Sequence, residues 1–149
     1  MLDLIIKGAT VIDGSGSAGT IIDVAIEGDR IISIAPNIEA ESAEVLDATG
    51  LVLSPGFIDV HSHDAFHVLI EPEVRHNILQ GITTVIVGNC GFGAAGSDAG
   101  KIQMRAINEP SADLPDWAGY AGYLEEVDKT SPALNVAALI GHHLSLIHI

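Results

Sequence analysis

The chain has 149 residues, with 6 Lys and Arg against 20 Asp and Glu and a formal net charge of −14. Hydrophobic residues make up 48% and charged residues 17%, which excludes intrinsic disorder and allows a real core. The acidic balance argues against nucleic acid and anionic membrane surfaces, both of which recruit Lys and Arg. Cys90 is the single cysteine, so no intrachain disulfide forms, and it can act only as a thiol, a thiolate or a metal ligand. No apolar run approaches the ~18–20 residues of a membrane span. The opening, Met1 to Lys7, has an early acid and too short an apolar stretch for a signal peptide. The expected compartment is the cytoplasm.

In chain order, Leu4–Ile6 and Thr10–Ile12 read as β-rich runs broken by Gly8 and by Asp13-Gly14-Ser15-Gly16. Asp23 to Ser33 reads as a hairpin. Asp23 to Glu27 alternates apolar and polar, Gly28-Asp29 supplies the turn, and Arg30 to Ile34 returns. Pro36-Asn37 ends it, and Glu44–Asp47 and Leu51–Leu53 are two further short strands. The pattern predicts a small antiparallel unit without helices.

After Pro55-Gly56 the grammar becomes strand, helix, strand, helix, strand. Phe57–Val60 reads as a short buried strand. Pro72–Gln80 reads as a helix, with Pro72 near its first position and Gly81 just past its end. Ile82–Val87 is a β-branched strand. Residues 93–112 read as a loop-rich excursion with one helical turn near Ile102 to Arg105. Asp116–Asp128 reads as a second helix opened by Pro115. Trp117, Tyr120, Ala121, Leu124 and Val127 form its apolar face, and Glu125, Glu126 and Asp128 are solvated off it. Val136–Ile140 is a third buried strand. Strands alternating with helices imply parallel βαβ units and an α/β fold.

Three strand ends carry metal-capable side chains. Asp59, His61 and His63 alternate at the end of the first buried strand, and period two puts them on one face. Histidines two residues apart along a strand are about 6.6 Å apart at Cα, close enough for both imidazoles to reach one ion at about 2.0–2.1 Å. A His-x-His pair is also common without a metal. Cys90 follows the second strand, in Gly88-Asn89-Cys90-Gly91. One reading is a small core hydrophobe. The other is a thiolate ligand, left accessible by its glycine neighbours. His142 follows the third strand and reads as a surface histidine or a site residue. The co-occurrence at one end of three strands is more specific than any single residue. His67, in the loop before the first helix, and His76, inside that helix, do not join the pattern.

Pro55-Gly56-Phe57-Ile58-Asp59-Val60-His61-Ser62-His63 resembles the first barrel strand of the amidohydrolase superfamily. Gln80 to Phe92, with Gly88-Asn89-Cys90-Gly91 inside it, is similar to the D-aminoacylase or N-acyl-D-amino-acid deacylase family. Asp3 to Ala9 with Val11-Ile12-Asp13-Gly14 resembles the opening of the small β domain, and Asn135 to His142 the third strand. The resemblance implies the N-terminal part of a metal-dependent hydrolase TIM (β/α)8 barrel, preceded by a small antiparallel β domain of composite β-sandwich type. A complete barrel needs roughly 200–250 residues. The implied layout is therefore residues 1–54 as the β domain, 55–143 as the first strands and helices of a barrel, and 144–149 as a non-native tail.

By the same resemblance His61, His63 and Cys90 are ligands to one or two Zn2+ ions, with Cys90 able to bridge two. His142, Asp59 and Asn89 then contact substrate or support the ligands. The implied reaction is hydrolysis of the N-acyl amide bond of an N-acyl-D-amino acid, giving a carboxylate and a D-amino acid. Its partner is that small molecule, without nucleic acid or membrane. The general-base aspartate is expected beyond residue 149, so residues 1–149 alone are expected to be inactive. The chain departs from the family pattern at Ala65, at Gly96 and from His143 onward, which bears on the substrate pocket. Residues 144–149 resemble a translated sequencing-adapter end. Two other classes stay open: a cyclic-amide hydrolase of the dihydroorotase or hydantoinase type, and a non-catalytic metal-binding module.

Overall fold

Gly8 bends the first strand and does not end it. In the computed structural model, which describes residues 2–39, 41–94, 102 and 113–140, β1 runs without interruption over Leu2–Val11. Its register against β2 (Thr20–Glu27) shifts between Ile6 and Ala9. Gly8 sits there with φ of 72°, and a Cβ on it would stand 2.8 Å from Thr49 Oγ1. A bulge at glycine keeps the strand going where a side chain could not fit.

The chain divides into two compact units, Met1–Pro55 and Gly56–Ile149. In the first, β2 and β3 (Arg30–Ala35) form the expected hairpin, with Glu27 opposite Arg30. The sheet order is β3-β2-β1-β4, with β4 at Ser42–Asp47 and β5 (Val52–Leu53) also on β1. Both β4 and β5 run parallel to β1, so the sheet is mixed and not wholly antiparallel. The reason is topological: the chain leaves β3 on one edge and must cross to the far side of β1. Asp23 anchors that crossing. Its two carboxylate oxygens accept from Gly8 N at 2.9 Å and Ile38 N at 3.0 Å.

The second unit carries a three-stranded parallel sheet in the order β6-β7-β8, formed by Phe57–Asp59, Ile82–Val87 and Asn135–Ala138. Between β6 and β7 lie two short helices, α1 (His67–Ile70) and α2 (Arg75–Ile78), where one helix over 72–80 was expected. Pro72 explains the break. It lacks an N–H and holds the preceding residue out of the helical region, and Glu71 has φ −126° and ψ 79°. Val74 then turns with φ of 40° before α2 begins.

Between β7 and β8 runs α3 (Gly119–Thr130). It starts three residues later than the sequence pattern predicts, because Ala118 is still extended. Its buried residues are Tyr123 and Val127, while Ala121 is exposed. The core joins Phe66, Val68 and Val74 to Val85 and Val87 of β7 and to Trp117, Tyr123 and Val127. β6 is not the buried strand expected: Phe57 and Ile58 are each 60% exposed, since β6 has β7 on one side only among the described residues. β8 alternates exposed and half-buried positions, and Ile140, expected within it, lies past its end and exposed. Among the described residues no helix is long and apolar enough to cross a membrane. The expected helical turn at 102–105, His142 and the tail 144–149 fall outside the described residues, Ile102 excepted.

Candidate metal centre

The two histidines sit in a turn, not on a strand. β6 ends at Asp59, and His61 and His63 lie beyond its last paired residue. The shared-face spacing of an extended strand therefore does not place them. A set of short local bonds does. Asp59 Oδ1 accepts from His61 N at 3.0 Å, and Ser62 N donates to Ile86 O on β7 at 3.1 Å. The buried Ser62 hydroxyl donates to Asp64 Oδ2 at 2.9 Å and accepts from Asp64 N at 3.1 Å. Asn77, also buried, donates from Nδ2 to the same Asp64 oxygen at 3.3 Å. The turn is thereby tied to both α2 and β7.

Cys90 arrives from the neighbouring strand. After β7 the chain makes a 3-10 turn over Asn89–Gly91, in which Cys90 has φ 56° and ψ 19°. That left-handed conformation is uncommon for a residue with a side chain and costs on the order of 1–3 kcal/mol. Asn89 holds the turn by donating from Nδ2 to Ile86 O at 2.7 Å. Gly88, at φ 91°, lets the chain pass close to β8's continuation: a Cβ there would be 2.4 Å from Leu139 O. The Cys90 side chain is exposed, which removes the core-hydrophobe reading.

His61, His63 and Cys90 each offer one donor atom, and these atoms all lie within 4.8 Å of one another. His61 Nε2 is 3.2 Å from Cys90 Sγ. The two imidazole rings meet edge to face with centroids 5.5 Å apart, and Phe92 backs His63 at 6.3 Å. Two imidazole nitrogens and one sulfur this near one another are a donor set whose chemistry suits zinc. Asp59 and Asn89 support the two turns through backbone bonds, and His142 lies outside the described residues.

His67 and His76 stay apart from the cluster. His67 opens α1, not the loop before it, and its Nε2 is 3.1 Å from Glu71 Oε2. His76 Nε2 is 3.6 Å from Asp64 Oδ2, and the two rings are 4.6 Å apart. Tyr123 is a buried polar residue that the expected apolar face does not include. Burial pushes its hydroxyl pKa up, with nearby Tyr120 adding to the shift, so it is a neutral donor. It donates to Ala65 O at 2.8 Å. Its signal was available: Tyr120, Tyr123, Leu124 and Val127 stand at i, i+3, i+4 and i+7. The expected face through Trp117, Tyr120, Leu124 and Val127 differs from this one only in having the exposed Ala121 where Tyr123 is buried.

A family model described as "Amidohydrolase family" matches residues 44–146. An N-acyl-D-aspartate deacylase from Alcaligenes xylosoxydans xylosoxydans is 39% identical over 145 residues, covering 94% of this chain and 28% of that protein. A D-aminoacylase from the same organism is 37% identical over 147 residues, covering 94% of this chain and 29% of that protein. Among solved structures, a D-aminoacylase with a binuclear metal centre superposes with a TM-score of 0.79 at 36% identity, over 97% of this chain and 30% of that one. An N-acyl-D-glutamate deacylase from Bordetella bronchiseptica, complexed with zinc and a phosphonate inhibitor, superposes with a TM-score of 0.77 at 32% identity, over 99% and 32%. This chain thus spans less than a third of the length of each of these relatives.

Proposed function

The chain belongs to the amidohydrolase family, and we propose that the complete protein is a zinc-dependent deacylase of N-acyl-D-amino acids. The observation that carries this reading is the convergence of His61, His63 and Cys90, with donor atoms within 4.8 Å of one another. The deacylase relatives, alike over 94% of this chain, support the substrate class.

In this reading His61 and His63 would hold the ion through their imidazole nitrogens and Cys90 through its sulfur. When bound, a divalent metal supplies Lewis-acid activation of a water and of the amide carbonyl. The chain's own contribution is to hold that donor set rigid. Asp59 fixes the His61 backbone, Ser62 ties the histidine turn to β7, and Asn89 keeps Cys90 turned outward. Among the described residues no carboxylate joins the three-residue cluster. The proposal assigns the proton transfers to the leaving amine to a carboxylate elsewhere in the complete protein. The same proposal places the protein in the cytoplasm, where a lone thiol stays reduced for metal. Its partner is the N-acyl amino acid, without nucleic acid. The Gly88-Asn89-Cys90-Gly91 segment and the deacylase relatives favour this reading over a cyclic-amide hydrolase.

The test is hydrolysis by the purified complete protein, loaded with zinc, of N-acetyl derivatives of D-Asp, D-Glu and neutral D-amino acids. The L-enantiomers, dihydroorotate and a hydantoin serve as comparisons. Turnover of a D-substrate well above its L-enantiomer supports the proposal. Preferential opening of a cyclic amide, or no turnover with zinc bound, overturns it.

A further inference from the structure

The two ligand-bearing turns are gripped by one aromatic cluster that none of the relatives' names or the chemistry above requires. Tyr123 is fully buried on α3, and its hydroxyl donates to the carbonyl of Ala65, two residues past His63. Trp117, 5% exposed and just ahead of α3, donates from Nε1 at 3.0 Å to the carbonyl of Ala94, four residues past Cys90. The Trp117 and Tyr123 rings are 5.8 Å apart, and Trp117 also packs on Phe66 at 5.9 Å. Ala65, Phe66 and Ala94 are themselves no more than 2% exposed. One pair of touching rings thus holds the far end of the histidine turn and the far end of the cysteine turn.

We propose that Tyr123 and Trp117 are positioning residues that set the separation between the His61–His63 turn and the Cys90 turn. The physical reason is that both carbonyls are buried, so each must keep its donor, and a buried carbonyl without one is costly. A close-packed interior passes such a displacement on instead of absorbing it. Ser62 N and Asn89 Nδ2 tie the near ends of both turns to the Ile86 carbonyl of β7, and the aromatic pair holds their far ends, while the three donor side chains themselves are exposed. The inference rests on the metal-centre reading above.

A merely structural tyrosine and a positioning tyrosine differ in one readout. Tyr123→Phe keeps the ring and its volume and removes only the donor. The experiment uses the complete protein reconstituted with cobalt. It measures cobalt affinity by chelator competition and the thiolate-to-cobalt charge-transfer absorption. Tyr123→Phe and Trp117→Phe are compared with Val127→Ala, which removes packing from the same core but no side-chain hydrogen bond. The expected result is roughly fivefold weaker cobalt binding in each of the first two, the effect of losing about one net hydrogen bond, with a shifted or weakened charge-transfer band. Val127→Ala loses thermal stability but keeps the parent's affinity and band.

Parent affinity and an unchanged band in both Phe variants overturn the inference. So does equal weakening in Val127→Ala, which would make the effect one of general stability. A Tyr123→Phe protein that fails to fold also counts against it, since the bond would then be a folding requirement. A parent protein that shows no thiolate-to-cobalt band defeats the metal-centre reading instead.

Discussion

His61 Nε2 and Cys90 Sγ stand 3.2 Å apart although 29 positions separate them in the chain. Nothing local brings them together. Parallel pairing of β6 with β7, Asp59 opposite Val85, ends the two strands side by side, and each then turns its donor toward the other. If that approach exists to hold metal, Cys90→Ala in the complete protein should sharply lower bound zinc per chain, with activity falling in step. Losing even a supporting partner costs about 10–100-fold in metal affinity, and a direct ligand should cost at least as much. Elemental analysis after dialysis reads the outcome; a stoichiometry equal to the parent's would remove Cys90 from the ligand set.

Gly88→Ala tests the close approach beneath that turn. The added methyl would sit 2.4 Å from the Leu139 carbonyl, at a φ of 91° that only glycine adopts freely. Backbone must shift, at a cost on the order of 2–3 kcal/mol. Chemical denaturation followed by circular dichroism measures this. A loss below about 0.5 kcal/mol, as at an ordinary surface site, would mean that the strand-end packing is not as tight as described.

Asp23 offers a test in the first unit. Asp23→Ala strips acceptors from both Gly8 N and Ile38 N, while Asp23→Asn keeps one carbonyl oxygen. Hydrogen bonds to a charged group contribute roughly 1.5–3 kcal/mol each, so the alanine variant should lose about 3 kcal/mol or more and the asparagine variant clearly less. Equal losses in the two variants would show that the carboxylate does not bridge β1 and the crossing as a pair of acceptors.

Alkaline pH should destabilise the second unit through Tyr123. Burial raises its pKa above the ordinary 10.0, so above pH 10 the unfolded chain releases a proton that the folded chain keeps. The folded state then binds more protons, and stability falls as pH rises. The contribution is complete below about pH 10 and is lost progressively above it. Denaturation midpoints measured from about pH 8 to about pH 11 should decline, and Tyr123→Phe should flatten the decline. A slope unchanged by the substitution would assign the alkaline loss to other groups.

What the sequence by itself determined was chemistry and local grammar. Gly28-Asp29 between alternating runs specified a hairpin, and the structure closes it with Glu27 opposite Arg30. His61, His63 and Cys90 were legible as metal-capable because imidazole and thiol carry that capacity wherever they stand. The strand-helix alternation after Gly56 was legible because periodicity is a property of neighbouring residues. Tertiary structure alone decided the rest. β4 lies parallel to β1 because the chain must cross the sheet, which no local pattern encodes. The helix expected over 72–80 shrank to Arg75–Ile78, because Val74 turns left-handed just ahead of it, and a separate short helix formed before Pro72 at His67–Ile70. The histidines converge from a turn braced by Asp59, Ser62 and Asp64, and Tyr123 reaches back 58 residues to hold that turn's end. Contacts between residues so far apart depend on register and packing. Those are set by which buried surfaces and carbonyls can be satisfied together, a condition met only once the whole unit has folded.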